Sequence, residues 1–468
     1  MEYSMTRGTP WKLTLKFALP VLLGILLQQL YNTVDTIIVG KFASETSLSA
    51  VGTTNCLTLF FLALANGFSA GAGVIISQHF GAGEKDKMRE NALCGIVLML
   101  AMGLLSTFVG IALCKPVLDN VLDVSGEMLT IAVSYFRFYC LGIIFQFGYN
   151  IVSAILRAVG DSKATLYFLL ISSVMNIGLD MLFVAVFRWD AEGAAIATDI
   201  AQAASFAAAV IYMNKRYSDF RFDPHDLVKE KKIWFDGKRI GNILRVGFPM
   251  ALQQIIVSFG FIGIQRAVNG FGDPMTASFT VGQRLEVYIT MPANAFQVTL
   301  ATFTGQNLGA GKPERIIKGA KQTLIMCEII TLFLSAFAYI FASPIIGLFN
   351  LSEQASFYCV QHIRCTSIVM LLLAAYFPLL GVFQGAKHGF AATVVALSAL
   401  GARVIAVYTL RNVPFFDYRI IWWNMLFGFI CGFLITWGYF ISKKWNKERR
   451  HSNENTRAEK QRQHKRLV

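Results

Sequence analysis

PVLLGILLQQLYNTVDTIIVG, residues 20–40, is apolar enough to cross a lipid bilayer, yet it carries Gln28, Gln29, Tyr31, Asn32 and Asp35 near its middle. A charge at the centre of a spanning helix costs about 2.5–3.5 kcal/mol on insertion scales, so such residues are rare unless they face protein or a water-filled cavity. Gln28, Tyr31 and Asp35 fall at i, i+3 and i+7, one stripe of an α-helix. What that stripe faces is the question the rest of the chain answers.

Around this stretch the composition is that of a membrane protein. The 468 residues are 55% apolar and only 15% charged, with a mean hydropathy of +0.53; a soluble domain carries about 25% charged residues. Twelve apolar segments lie near 15–38, 48–76, 91–113, 129–155, 164–187, 193–213, 243–268, 275–304, 320–341, 357–383, 390–410 and 420–441. Each approaches the ~20 residues that a spanning helix needs. The sequence therefore predicts an all-α integral membrane protein of twelve transmembrane helices.

The loops test that number. One alternate set, comprising the N-terminus, 77–90, 156–163, 214–245, 305–321, 384–389 and the tail from 443, holds 32 of the 42 Lys and Arg when Lys16, at the edge of the first segment, is counted with the N-terminus. The opposite loops hold only Lys41, Lys115, Arg188, Arg266, Arg411 and Arg419, and collect Asp119, Asp123, Glu127, Asp190, Glu192, Asp273 and Glu353. The positive-inside rule then puts both termini in the cytoplasm. It also accounts for the net charge of +14, which is a topology signal rather than a nucleic-acid surface. The basic tail 443–468 reads as a disordered, solubilising segment. The N-terminus reads as an uncleaved first span.

Catalytic signatures are missing. The eight cysteines show no CxxC spacing and lie mostly in apolar runs, where they act as small packing residues. No histidine pair has i,i+4 spacing, and there is no P-loop or dinucleotide fingerprint. No cofactor or structural metal is expected, and the chain does not read as an enzyme.

The chain repeats itself. QHFGAGEKDK at 78–87 matches QNLGAGKPER at 306–315 at an offset of 228, and Pro116 matches Pro344. Arg137 and Arg364, and LRAVGD (156–161) and FQGAKH (383–388), match within one residue of it; Pro20 and Pro249 match at 229. Six spans are thus duplicated. Because six is even, the two lobes run in parallel, related by a pseudo-two-fold axis along the membrane normal, an architecture that suits alternating access rather than a channel. The expected organisation is an N-lobe (1–213), a basic cytoplasmic linker (214–241), a C-lobe (242–442) and the tail (443–468). The GAG loops read as tight turns needing φ > 0, since no strand precedes them and no GK[ST] follows.

The polar residues inside spans concentrate in the first lobe. Span five reads VMNIGLDMLF, which puts Asn176 and Asp180 on one face, and span six carries Thr198 and Asp199. Two readings compete. Each acid is a structural hydrogen-bonder, or two carboxylates share a proton or a sodium ion, since like charges held close cannot both stay ionised. In the second lobe span seven offers Gln253, Gln254 and Ser258 but no acid, and span eight offers Arg284 and Glu286. Pro20 is read either as a hinge or as a helix-start proline at N1.

Twelve spans in two parallel repeats, the QxxGAG turns, LRAVGD after span four, and Pro20 with Asp35 in span one resemble the multidrug and toxic compound extrusion (MATE) family over residues 10–442, and within it the DinF-like branch. The resemblance implies a secondary transporter of a bacterial-type plasma (inner) membrane. It would export organic, often cationic and amphipathic compounds by antiport with H⁺ or Na⁺, and work as a monomer whose partners are small organic substrates and the bilayer. It implies coupling at Tyr31, Asp35, Asn176, Asp180 and Thr198, with Na⁺ held by Asp35, Asn176, Asp180 and Thr198, and a substrate cavity lined by Gln28. Gln253 and Glu286 are further candidates for that cavity, and Pro20 for the hinge. The acids that the NorM-like branch carries in spans seven and ten are absent. An alternative within the superfamily is a flippase for lipid-linked precursors or polysaccharide intermediates. A membrane-embedded enzyme such as a prenyl transferase would need a DDxxD cluster, which is absent.

Overall fold

In lipid, a backbone can satisfy its polar groups only within its own segment, so apolar runs of this length close as helices. The computed structural model describes residues 4–122, 124–220, 234–349, 351–411 and 413–446. Most of the basic tail and residues 221–233 of the linker lie outside the described residues. Spans one to six are the helices Pro10–Phe42, Glu45–Ala82, Lys85–Asn120, Gly126–Ala158, Ser162–Asp180 and Asp190–Arg216. Spans seven to nine are Gly237–Asn269, Asp273–Gly309 and Pro313–Ile340. Span ten is Glu353–Ala374 followed by Phe377–Gly385, and spans eleven and twelve are Gly389–Leu410 and Ile420–Ile441.

Four details depart from the sequence reading. Among the described residues, eleven helices are long and apolar enough to cross a membrane, and span eight falls short. It carries Gln283, Arg284 and Glu286, and it buries Gln297, Thr299, Thr302, Thr304, Gln306 and Asn307. Span eight can be that polar because it packs against spans one, two, nine and ten rather than lipid alone. Span ten is broken at Ala375–Tyr376, since Pro378 sits in the first turn of its second helix and cannot continue the first. Span five ends in a π-helical turn, Met181–Val186. Finally, Pro20 lies ten residues inside a helix that begins at Pro10, so the N1 reading fails.

The leading span of each lobe crosses into the other. Phe17 joins the core formed by Phe279, Phe303, Met370, Phe383 and Trp422 of the second lobe, and Thr323 of span nine donates to Thr14 (3.2 Å). Beyond Pro20, span one returns to the first lobe: Gly24 lies against Leu166 and Leu169, and Ile38 and Val39 pack with Val184 and Ala194. Span seven mirrors this, placing Val246, Met250 and Ala251 in the first-lobe core with Phe68, Met99 and Phe136. A Cβ at Gly71 would collide with the Gly247 backbone, which is how closely spans two and seven approach.

The repeat is visible in backbone and side chains alike. Gly83 and Gly311 end spans two and eight with φ of 75° and 69°, the left-handed turn expected of the GAG loops. Gly160 (φ 95°) is matched by Lys387 (φ 66°), so the turn is kept where the glycine is not. Asp161 accepts from Tyr212 (2.9 Å), and its counterpart His388 pairs with Tyr439 (2.8 Å). The N-terminal segment, the loops after spans two, four, eight and ten, and Trp445 gather at one end of the bundle. At the other end Ser47 donates to Asp190 (2.6 Å) and Ser134 bonds Glu192.

Candidate functional site

The stripe on span one faces spans four, five and six. Asp180 is the last residue of the regular part of span five, at the start of the π turn, and is fully buried (0% exposed). A π turn inserts one residue into a helical turn and recurs at functional sites. The Asp35 and Asp180 carboxyls stand within hydrogen-bonding reach of each other. Neither Asp180 oxygen, nor Oδ1 of Asp35, receives a hydrogen bond from any described residue. One turn back on span five, Asn176 is buried; its Nδ2 donates to Thr198 Oγ1 (3.3 Å) while its Oδ1 has no donor among the described residues.

Four buried oxygens without a donor are costly. The arrangement leaves room for what would satisfy them: a proton shared between the carboxyls, or a small hard cation, which takes oxygen ligands of this kind. Among the described residues no group of three or more His, Cys, Asp or Glu could hold a metal. Asp180 is sealed in while Asp35 is partly exposed, so Asp35 is the open side of the pair.

Tyr31 stands beside Gln28, with Asp35, Tyr149 and Asp180 within electrostatic reach. Tyr135 of span four has Asp35, Asp180 and Asp199 in the same range. Tyr139, one turn on, donates to Gln146 (3.3 Å), and Tyr149 donates to the Thr165 carbonyl (3.4 Å). Tyr31 and Tyr135 therefore flank the carboxyl pair, and Tyr139 and Tyr149 lie around Tyr31. Three of them lie on span four and were missed by the sequence reading, although Tyr135 and Tyr139 have the i,i+4 spacing of one face.

The register of span six separates its two polar residues. Thr198 turns toward Asn176, whereas Asp199 is seated on the Gly142 backbone of span four, where any Cβ at 142 would collide with its Oδ1. The structure thus brings together Gln28, Tyr31, Asp35, Asn176, Asp180 and Thr198. Gln253 and Glu286 lie in the other lobe. Gln253 is buried and accepts from Gln384 (3.1 Å). Glu286 faces His362 Nε2 at 4.0 Å, and Arg403 lies within its electrostatic range. His362 is itself stacked between Phe279 and Trp422, and Arg403 donates to Asn424 (2.8 Å). Pro20 lies at the crossover of span one, where its missing N–H leaves the Lys16 carbonyl without an intrahelical donor.

Comparison with known proteins agrees with the two-repeat helical fold. A family model described as MatE matches residues 20–182 and 249–409, one segment in each repeat, opening at Pro20 and Pro249. The chain is 28% identical over 384 residues to a protein of Bacillus subtilis (strain 168) named probable multidrug resistance protein YpnP, covering 82% of this chain and 84% of that one. It is 23% identical over 429 residues to the multidrug export protein MepA of Staphylococcus aureus (strain NCTC 8325 / PS 47), covering 92% and 93%. Among solved structures, the fold matches one described as the outward-facing conformation of a multidrug resistance MATE family transporter of the MOP superfamily. The TM-score is 0.86 at 23% identity, over 95% of this chain and 98% of that one.

Proposed function

The chain belongs to the MatE family of multidrug efflux transporters, and from that premise we propose that it exports organic, often cationic amphipathic compounds in exchange for H⁺ or Na⁺ bound at Asp35 and Asp180. It is a transporter, not an enzyme. The observation that carries the coupling assignment is the pair of facing carboxyls, three of whose oxygens have no donor among the described residues. Two buried like charges repel strongly, and a single positive charge between them removes the repulsion.

The cycle follows from that charge balance. With the pair empty, its negative charge and the tyrosine faces attract an organic cation into the adjoining cavity, the rings through cation–π contact. With the pair loaded from outside, that counter-charge is halved, the compound is held more weakly and leaves. The lobes then rock, the ion departs into the cytoplasm and the next compound enters there. Tyr31 and Gln28 connect the two regions, since both share the stripe of Asp35. Pro20 is the point at which span one bends to follow the change. The basic loops at the terminus-bearing end support a cytoplasmic position for both termini, in a bacterial-type inner membrane. Coupling within the first lobe is also what the DinF-like reading implies.

The test is dye efflux from proteoliposomes under an imposed proton or sodium gradient, for the wild type and Asp180→Asn. Loss of gradient-driven efflux in the variant supports the assignment; undiminished efflux removes it. A flippase would instead move a phosphate-bearing lipid in the same vesicles.

A further inference from the structure

The two lobes meet at the terminus-bearing end through a pair of hydrogen bonds that the repeat makes symmetric. Gln78, after span two's buried face, donates from Nε2 to the Gly385 carbonyl of the second lobe (2.8 Å). Gln306, its counterpart 228 residues on, donates from Nε2 to the Ala158 carbonyl of the first lobe (2.9 Å). Gly385 and Ala158 are themselves counterparts, in FQGAKH and LRAVGD. Each amide therefore reaches across the interface to the last helical residue of the fourth span of the opposite repeat, and both are buried, at 7% and 0% exposed.

The backbones between them are in contact. A Cβ at Gly81 would fall on the Gln306 carbonyl, and one at Gly309, its counterpart, on the Gln78 carbonyl. Ser77 meets Gly305, its own counterpart. Spans two and eight thus touch on the pseudo-two-fold axis, with one glutamine to either side. A third element breaks the symmetry. Gln306 Oε1 accepts the Met5 N–H (2.8 Å), Met5 is 2% exposed, and its carbonyl accepts from Asn307 and Arg315 (both 3.3 Å). Lys312 and Arg315 hold the carbonyls of Thr6 and Gly8 (both 3.0 Å). The strap before span one is therefore fastened to the second lobe by the residues that surround the second GAG turn.

Tight helix contact needs only the glycines. The glutamines add two directional bonds that exist only while this end is shut, and a buried amide bond has to be exchanged for water when the lobes part. We infer that Gln78 and Gln306 form a reciprocal latch which, with the Met5–Gly8 strap, sets how often the protein opens toward the terminus-bearing end. They are positioning residues: they touch neither the carboxyl pair nor the tyrosines. This inference rests on the alternating-access reading above and adds to it the groups that hold one of its two states.

The experiment is hydrogen–deuterium exchange of the full chain in lipid nanodiscs, without substrate or ion gradient. Wild type is compared with Gln78→Met and Gln306→Met, which keep the volume and remove the amide, and with Asn307→Ala, which loosens the strap. One net hydrogen bond corresponds to about a three- to tenfold change in an equilibrium. Exchange should rise by that factor in Gln78→Met, and rise together in residues 78–84, 156–161, 306–312 and 384–388. Gln306→Met, which loses Met5 as well as Ala158, should show the larger rise and free residues 4–9 too. Asn307→Ala should raise exchange in 4–9 alone. Residues 91–113, away from this interface, should not change in any variant, which separates opening from unfolding. If Gln306→Met does not fold, Gln78→Met and the shortened Gln78→Asn decide the matter. An unchanged profile, or a rise confined to the peptide bearing the substitution, overturns the latch. Because no transport is measured, such a failure leaves the export reading standing, and failed efflux with the expected exchange pattern would do the reverse.

Discussion

Replacing Asp35 by Asn removes one of the two facing charges and keeps the shape. Two unit charges about 4 Å apart repel by about 4 kcal/mol at an effective dielectric of about 20. That repulsion is what a captured proton or sodium ion relieves in the wild type, whose Asp180 oxygens have no donor from any described residue. At about 1.4 kcal/mol per tenfold, losing it lowers cation affinity by about a thousandfold. The new Nδ2 group can donate to Asp180, so the variant imitates the loaded state permanently. In detergent the wild type should gain thermal stability from added Na⁺ or from acid, whichever cation it takes, and Asp35→Asn should melt at or above the wild-type temperature with no response to either. In vesicles it should show no gradient-driven dye efflux. Retention of more than about a tenth of the wild-type rate, or an intact stabilisation by the cation, would refute the reasoning.

Three other outcomes follow from particular contacts. Asp161 accepts from Tyr212 and Tyr217 (both 2.9 Å) and caps span five through the Ala164 N–H (3.2 Å); Asp161→Ala should cost about 3 kcal/mol, seen as a lowered melting temperature with the efflux mechanism intact in the folded fraction. Pro20→Ala restores a donor for the Lys16 carbonyl, so span one should stiffen, turnover should fall and the fold should be slightly more stable; unchanged turnover would end the hinge role. Glu84 lies in the loop after span two, where bonds from Lys87 and then His79 hold its carboxyl below the usual range. Its contribution is present above the ordinary carboxylate range and lost as pH falls through the depressed value. Being largely exposed, it is worth at most about 1 kcal/mol, so the melting difference between wild type and Glu84→Gln should be small near neutrality and vanish in acid.

What could be read in advance was whatever depends on local periodicity. Gln28, Tyr31 and Asp35 share a stripe, as do Asn176 and Asp180, because each set lies within a single helix and 3.6 residues per turn fixes their faces. Thr198 and Asp199 could not be separated that way. They differ by about 100° of rotation, and only the contact of Asp199 with Gly142 on another helix decides which of them looks at Asn176. The tyrosines on span four were spaced correctly but looked ordinary, since aromatic residues line most membrane helices. Nothing in VMNIGLDMLF announces a π turn after Asp180. Span eight was counted among the apolar segments although its hydropathy is low, and the loop charges and the repeat agree with counting it, because duplication carries information that a single segment lacks. The exchange of spans one and seven between lobes, and the cluster of Glu286, His362 and Arg403, join residues far apart in the chain and could be seen only once the helices were packed.

The most direct experiment is dye accumulation in proteoliposomes of defined lipid in which only a proton gradient, or only a sodium gradient, is imposed, for the wild type and Asp35→Asn/Asp180→Asn. Coupling at the carboxyl pair requires that one of the two gradients drive uphill movement by the wild type, and that neither drive the double variant while it still binds the dye. Uphill movement by the double variant under the same gradient would contradict it.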